Sequence, residues 1–257
     1  MENAGTLHSE ARSAGGAVSR LVALPYALVA YLVGVGGLAW LALSLAEVTP
    51  WPQLVGTADL TRGLAADIGL VLLFGLSHSV MARQGFKKRL TRIVPWWAER
   101  SLFVLTAGVV LAVVVSLWQP LPGVVWSVSG TWATVLWGLC VFGWAYLLAA
   151  TWAIDHFDLF GVRQAYLHAV GREYTSIPFK QQWMYRYSRH PIMAGVLMGV
   201  WATPHMTVGH LVMAVALSVY IVIGVAYEER DLLVHFGDRY RRYRSQVGYL
   251  FSLPRGR

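Results

Sequence analysis

Residues 101–154 read SLFVLTAGVVLAVVVSLWQPLPGVVWSVSGTWATVLWGLCVFGWAYLLAATWAI, 54 positions without one Asp, Glu, Lys or Arg. An α-helix needs about 20 apolar residues to cross a hydrocarbon core of about 30 Å. The run is therefore long enough for two crossings. It breaks at Gln119-Pro120-Leu121-Pro122-Gly123, where proline and glycine interrupt helix and favour a turn. Two crossings joined by a short uncharged turn place the chain among polytopic helical membrane proteins.

The same reading extends outward. Leu21–Ala46 is uncharged over 26 residues and forms a first span. Leu64–Ala82 forms a second, with Asp67 and His78 in it. Pro191–Tyr227 is uncharged over 37 residues, too long for one span, and divides at Thr203-Pro204-His205 into a short arm and a full-length arm. The expected architecture is all-α: four spans plus a C-terminal helical hairpin, one domain over residues 1–257. Composition agrees. The chain is 56% hydrophobic and only 13% charged, against about 25% charged in an average soluble domain. The first 20 residues carry Glu2, Glu10, Arg12 and Arg20, and the apolar run after them exceeds a signal-peptide core. Leu21–Ala46 is expected to be a retained anchor.

Of the 21 Lys and Arg residues, 20 fall on alternate polar segments: 1–20, 83–100, 155–190 and 228–257. The one exception, Arg62, lies between the first two spans. The positive-inside rule then puts both termini in the cytoplasm. The net charge of +8 has anionic headgroups as its partner, and the scatter of basic residues over several segments excludes a nucleic-acid site. Cys140 is the only cysteine and lies mid-span, so neither a disulfide framework nor a zinc-thiolate site is expected. No His-x-x-x-His pair is present, and no metal is expected. Gly34-Val35-Gly36-Gly37 lies inside a span rather than after a strand, which excludes a dinucleotide fingerprint. Gly195 and Gly199 have a spacing that suits close helix packing as well as cofactor approach.

Chemistry concentrates at the ends of the hairpin. Tyr187-Ser188-Arg189-His190-Pro191 enters it, and Glu228-Glu229-Arg230-Asp231 leaves it. Antiparallel packing brings these two clusters together at a membrane surface, where charge points to a polar ligand. Beyond Glu228, Leu232, Leu233, Phe236, Tyr240 and Tyr243 recur at three- to four-residue spacing, an amphipathic helix continuing the last span.

These residues carry a resemblance. Tyr187, Arg189-His190-Pro191 and Gly195, followed by Glu228-Glu229-Arg230-Asp231-Leu232, Phe236-Gly237, Tyr240 and Tyr243, resemble the C-terminal half of isoprenylcysteine carboxyl methyltransferases and phospholipid methyltransferases. The isoprenylcysteine enzymes usually carry an aromatic two residues after the proline, where this chain has Ile192-Met193. Leu76-Ser77-His78-Ser79, Ala82-Arg83, Lys88, Pro95 and Glu99-Arg100-Ser101-Leu102-Phe103-Val104 resemble the nurim branch of that superfamily. His156-Phe157-Asp158-Leu159-Phe160-Gly161-Val162-Arg163-Gln164 is similar to a loop of bacterial methanethiol S-methyltransferases.

The resemblance implies S-adenosylmethionine as cofactor, S-adenosylhomocysteine as its product, and methyl transfer to a small thiol, methanethiol, to give dimethyl sulfide. It implies a cofactor site of Tyr187, Arg189, His190, Pro191, Gly195, Glu228, Glu229, Tyr240 and Tyr243. Arginine suits the cofactor's carboxylate, the glutamates its amino and ribose groups, and the tyrosine rings its sulfonium. His156, Asp158, Arg163 and Gln164 are the expected acceptor residues, because a thiol attacks only as thiolate and an alkanethiol has no activating group of its own. Two alternatives stand beside this reading. One is the same fold acting on a prenyl-cysteine carboxylate, a lipid amine or another thiol. The other is a non-catalytic nurim-like or haem-binding membrane protein.

Overall fold

The computed structural model describes residues 3–49, 51, 59–178 and 181–250, with side chains from residue 16 onward. Arg12, Lys180, Arg255 and Arg257, counted in the charge asymmetry, have side chains outside this set, as do Glu2 and Glu10.

Five helices are long and apolar enough to cross a membrane. They are α1 (Asn3–Leu45, apolar from Gly16), α2 (Leu60–Ala82), α4 (Trp96–Leu117), α5 (Gly130–Ile154) and α9 (Val208–Phe236). The protein is an all-α polytopic membrane protein, as the uncharged runs predict. Leu21, Leu32, Trp132 and Val141 are each about two-thirds exposed or more, as side chains facing lipid must be. Between the spans lie α3 (Gln84–Leu90), α6 (His156–Leu159), α7 (Val162–Ala169) and a 3-10 turn (Trp183–Arg186). The hairpin's short arm is α8 (Pro191–Trp201), and the tail helix is α10 (Asp238–Gln246).

Three boundaries differ from the sequence reading. The first helix has no start at Leu21, because nothing in the preceding residues breaks helix. The tail is not one helix continuing from the last span: α9 runs through Glu228-Glu229 to Phe236, and the chain turns at Gly237, whose φ is +53°. Two short strands, β1 (Val124–Ser127) and β2 (His205–Thr207), pair antiparallel at the end of the bundle opposite the charged segments. They form where the two predicted breaks, one after Gln119 and one at Thr203–His205, meet. Trp126 Nε1 donates to Thr203 O at 3.0 Å, and Val128 N to Pro204 O at 2.8 Å. Such pairing satisfies the backbone groups that the proline breaks release.

Helix contacts depend on small residues, because apolar side chains gain little by leaving lipid for one another. A Cβ at Gly37 would sit 2.6 Å from Gly108 O, so α1 and α4 touch backbone to backbone. On the second seam, a Cβ at Gly195 would sit 2.7 Å from both Gly143 O and Leu147 N, and one at Gly199 would sit 2.6 Å from the Trp144 ring. Cys140 Sγ lies 3.3 Å from Gly199 O. Gly199 beside Cys140 and Gly195 beside Leu147 fix α5 and α8 as antiparallel. Away from the charged end, Leu41, Leu111, Trp118, Val200, Met213 and Leu217 close a core shared by α1, α4, α8 and α9. Asp67 is fully buried in α2, and its Oδ1 accepts from Gln119 N at 2.8 Å.

Candidate functional site

Arg189 and His190 meet Glu228 and Glu229, as the antiparallel hairpin requires. Pro191 supplies the first residue of α8, where its missing N–H costs nothing, so His190 is held at the helix N-cap. Glu229, 7% exposed, is the hub. Its Oε1 lies 3.1 Å from His190 Nε2 and 3.0 Å from Arg189 Nη1, and its Oε2 lies 3.5 Å from Arg244 Nε. Glu228 is half exposed and reaches His190 Nδ1 at 3.5 Å. The Arg189–Glu229 contact is an ion pair, but it is off the line of the guanidinium N–H bonds. Neither Nη1 nor Nε of Arg189 has a hydrogen-bond acceptor, although that side chain is only 10% exposed. Buried donors in this state are costly unless a ligand completes them.

Arg189 borders a cleft of about 380 Å³ lined by Arg189, Val222, Ala226, Glu229, Arg230, Leu233, Arg244 and Tyr249. Its volume lies within the small-molecule range of about 300–1,000 Å³. α9 contributes both apolar residues, Val222, Ala226 and Leu233, and the charged Glu229 and Arg230. Arg189 N donates to Gly248 O at 3.1 Å, which folds the chain after α10 back over the site. Tyr249 then stands 5.7 Å from the Arg189 guanidinium and 5.4 Å from the His190 ring.

The remaining expected donor-site residues divide. Tyr240 is buried against Glu229; burial and then that carboxylate push its hydroxyl pKa up. Tyr243 uses its hydroxyl within the fold. The group donates to Tyr185 O at 2.7 Å and lies 3.2 Å from Ser188 O, pinning the segment before Arg189. Tyr187 is half exposed at the end of the 3-10 turn. Gly195 lies in the seam with α5. Tyr249 and Arg244 went unnoticed in the sequence. Arg244 reads as one arginine among many on α10, and Tyr249 follows the helix with no periodicity to mark it.

The expected acceptor residues form a second cluster at the same end of the bundle. His156 follows α5 directly and is 4% exposed. Its Nδ1 lies 2.7 Å from Thr151 Oγ1 and its Nε2 lies 2.9 Å from Tyr31 Oη. Its ring stacks on Trp152 at 4.5 Å and 6°, with Phe157 and Phe160 closing the box. Burial lowers the His156 pKa, opposed by the Asp155 charge, so the imidazole is neutral near pH 7. Asp158 accepts from Arg163 Nη1 at 2.9 Å and from Tyr174 Oη at 3.3 Å. Arg163 also donates to Thr175, and Gln164 Nε2 to Asp158 O at 3.1 Å. Asp158, Arg163 and Gln164 thus brace the loop, while His156 faces α1. Gly161, at φ +86°, lets that loop press onto Ser101; a Cβ there would lie 2.6 Å from Ser101 N.

Among the described residues the two clusters share no hydrogen bond or ion pair. The α5–α8 seam relates them nevertheless. Continuing the Gly195–Leu147 register by one turn brings Pro191 level with Thr151, which holds His156. Gln182 Nε2 donates to Ala153 O at 3.4 Å and ties the end of α5 to the segment leading into Arg189.

No family model matches the chain, and no solved structure does. Curated relatives do. It is 48% identical over 195 residues to the methanethiol S-methyltransferase of Mycobacterium tuberculosis, covering 75% of this chain and 80% of that protein. It is 39% identical over 234 residues to methanethiol S-methyltransferase 2 of Bradyrhizobium diazoefficiens, covering 90% of each. Nurim from Sus scrofa is 29% identical over 178 residues, covering 66% of this chain and 68% of that protein. At these identities and coverages, the chain belongs to the methanethiol S-methyltransferase family.

Proposed function

We propose that this protein transfers the methyl group of S-adenosylmethionine to methanethiol, yielding dimethyl sulfide and S-adenosylhomocysteine. The observation that carries the donor is Arg189: a buried guanidinium with two unaccepted nitrogens, in a residue that lines a cleft of about 380 Å³ beside a buried glutamate. This set fits an amino-acid-bearing nucleoside. Arg189 pairs with the carboxylate, Glu229 and Glu228 hold the amino group or ribose hydroxyls, and Tyr249 offers its ring to a cation. The names of the relatives support the acceptor.

S-adenosylmethionine, when bound, supplies an electrophilic methyl group on a sulfonium. The protein's part is alignment and proton removal. The thiol sulfur attacks as thiolate, a new carbon–sulfur bond forms as the sulfonium bond breaks, and one proton leaves the thiol. His156, neutral and enclosed by aromatic rings, is the base on the acceptor side. Asp158, Arg163 and Gln164 hold its loop. Both termini and the charged segments face the cytoplasm of a bacterial inner membrane, following the Lys and Arg asymmetry.

Incubation of purified protein with labelled S-adenosylmethionine and a panel of thiols, with headspace analysis, tests the reading. Labelled dimethyl sulfide is expected from methanethiol. Label appearing only in lipid, or in no volatile product, refutes it.

A further inference from the structure

We propose that the phenolic oxygen of Tyr31 takes the proton from the acceptor thiol, with His156 as the base behind it. The proposal rests on the thiol-methylating reading above and assigns a residue that neither composition nor motif points to.

The argument is one of hydrogen bookkeeping. Thr151 Oγ1 lies 2.6 Å from Leu148 O. A carbonyl only accepts, so the single hydroxyl hydrogen of Thr151 points there. Thr151 Oγ1 must then accept from His156 Nδ1, at 2.7 Å. That places the hydrogen of the neutral imidazole on Nδ1 and leaves Nε2 as its lone pair. Tyr31 Oη, 2.9 Å away, donates into it. The chain therefore runs from Tyr31 through His156 and Thr151 to the α5 backbone, with every hydrogen assigned. The basic nitrogen of His156 is filled by the Tyr31 hydroxyl, so a thiol does not reach it directly. The Tyr31 oxygen retains a free lone pair, and Tyr31 is less buried than His156.

The step balances. The thiol proton moves to the Tyr31 oxygen as the Tyr31 hydroxyl proton moves to His156 Nε2. The thiolate attacks the donor methyl carbon, and the sulfonium electron pair leaves with S-adenosylhomocysteine. His156 is left as imidazolium and returns its proton through Tyr31 to solvent. The surroundings suit that transient charge. Trp152 stacks face to face on His156 at 4.5 Å, where a ring stabilises a cation, and the Asp155 charge favours the same form. Tyr31 packs edge-on against His156 at 5.6 Å and Phe160 at 5.6 Å, and tilted against Phe157 at 6.5 Å. This apolar setting suits a thiol with no polar group besides its sulfur.

The test compares Tyr31→Phe with wild type on methanethiol and on the most acidic thiol that wild type turns over. That second thiol is largely ionised in solution and has no need of a proton acceptor. General-base catalysis contributes about 10²- to 10⁴-fold. Tyr31→Phe should therefore lose at least about 10²-fold in kcat on methanethiol while staying within a few-fold of wild type on the acidic thiol. Calorimetric affinity for S-adenosylmethionine should be unchanged. Thr151→Val, which leaves Tyr31 in place but removes the acceptor that fixes the His156 tautomer, should show the same thiol dependence in weaker form. It also serves if Tyr31→Phe does not fold. Wild-type rates in both variants, or losses equal for the two thiols, overturn the proposal. Wild type transferring methyl to no thiol at all overturns the underlying reading instead.

Discussion

Replacing Glu229 with Gln removes the one negative charge shared by Arg189, His190 and Arg244. The contacts are 3.0, 3.1 and 3.5 Å, and the Glu229 and Arg189 side chains are 9% and 10% exposed, so solvent screens that pair little. Deleting one partner of a buried pair costs about 3–5 kcal/mol. Glutamine keeps the volume and one acceptor oxygen, so the loss falls to that of a charge-assisted hydrogen bond, about 1.5–3 kcal/mol. At 1.36 kcal/mol per tenfold, donor affinity should weaken roughly 10- to 160-fold. Glu228→Gln provides the contrast. That side chain is 50% exposed and 3.5 Å from His190, and an exposed pair is worth about 0–1 kcal/mol after solvent screening. Its effect on donor affinity should be smaller than that of Glu229→Gln. Titration calorimetry with S-adenosylmethionine in detergent measures both, and thermal unfolding should show a lower Tm only for Glu229→Gln. Equal losses at the two positions, or wild-type affinity in Glu229→Gln, would show that Glu229 does not organise the donor site.

Further expectations concern the rest of the molecule. Arg189→Lys keeps the charge but loses the fork, and should weaken donor binding at least about tenfold by calorimetry; unchanged affinity would move the carboxylate site elsewhere. Gly161→Ala meets both a left-handed φ of +86° and the Ser101 backbone at 2.6 Å, so it should lower Tm by more than Gly138→Ala, whose Cβ meets nothing within 4 Å. Burial depresses the folded-state pKa of His156. On acidification the unfolded chain therefore takes up the proton first, and the His156 share of stability, present above about pH 6.5, is lost as pH falls below it. The fall in Tm between pH 7.5 and 5 should be smaller in His156→Asn than in wild type; identical slopes would exclude His156 as a contributor.

The spans and the meeting of Arg189 and His190 with Glu228 and Glu229 were legible because their signals are local or paired. Uncharged runs announce helices whatever surrounds them, and a cation cluster and a carboxylate cluster at the two ends of one hairpin have to meet. Glu228 and Glu229 were not distinguishable in that way. Which one turns inward depends on the rotation of α9, and a helix that is apolar on every side gives no periodicity from which to read it. The β1–β2 pairing was invisible for a related reason: each strand is a few residues long and its partner lies about 80 positions away. Tyr31 was hidden most completely, because it looks like any interfacial tyrosine of a first span until α1 is laid against the end of α5, 125 residues later.

That glycine seam acts as a caliper. On the proposed reading α5 carries the acceptor side beyond its last turn and α8 the donor side at its first; the two helices are antiparallel, so their separation at the charged end is set by how closely the two backbones approach at Gly143, Gly195 and Gly199. A sulfur and a methyl carbon must come within about 3–3.5 Å in line, and an error of about 1 Å costs about 10²-fold in rate. A methyl group added to the seam is of that size. On the proposed reading, the tolerance of the reaction rests on this seam, and a bilayer or a variant that spreads these two helices would slow turnover while leaving the residues of each cluster intact.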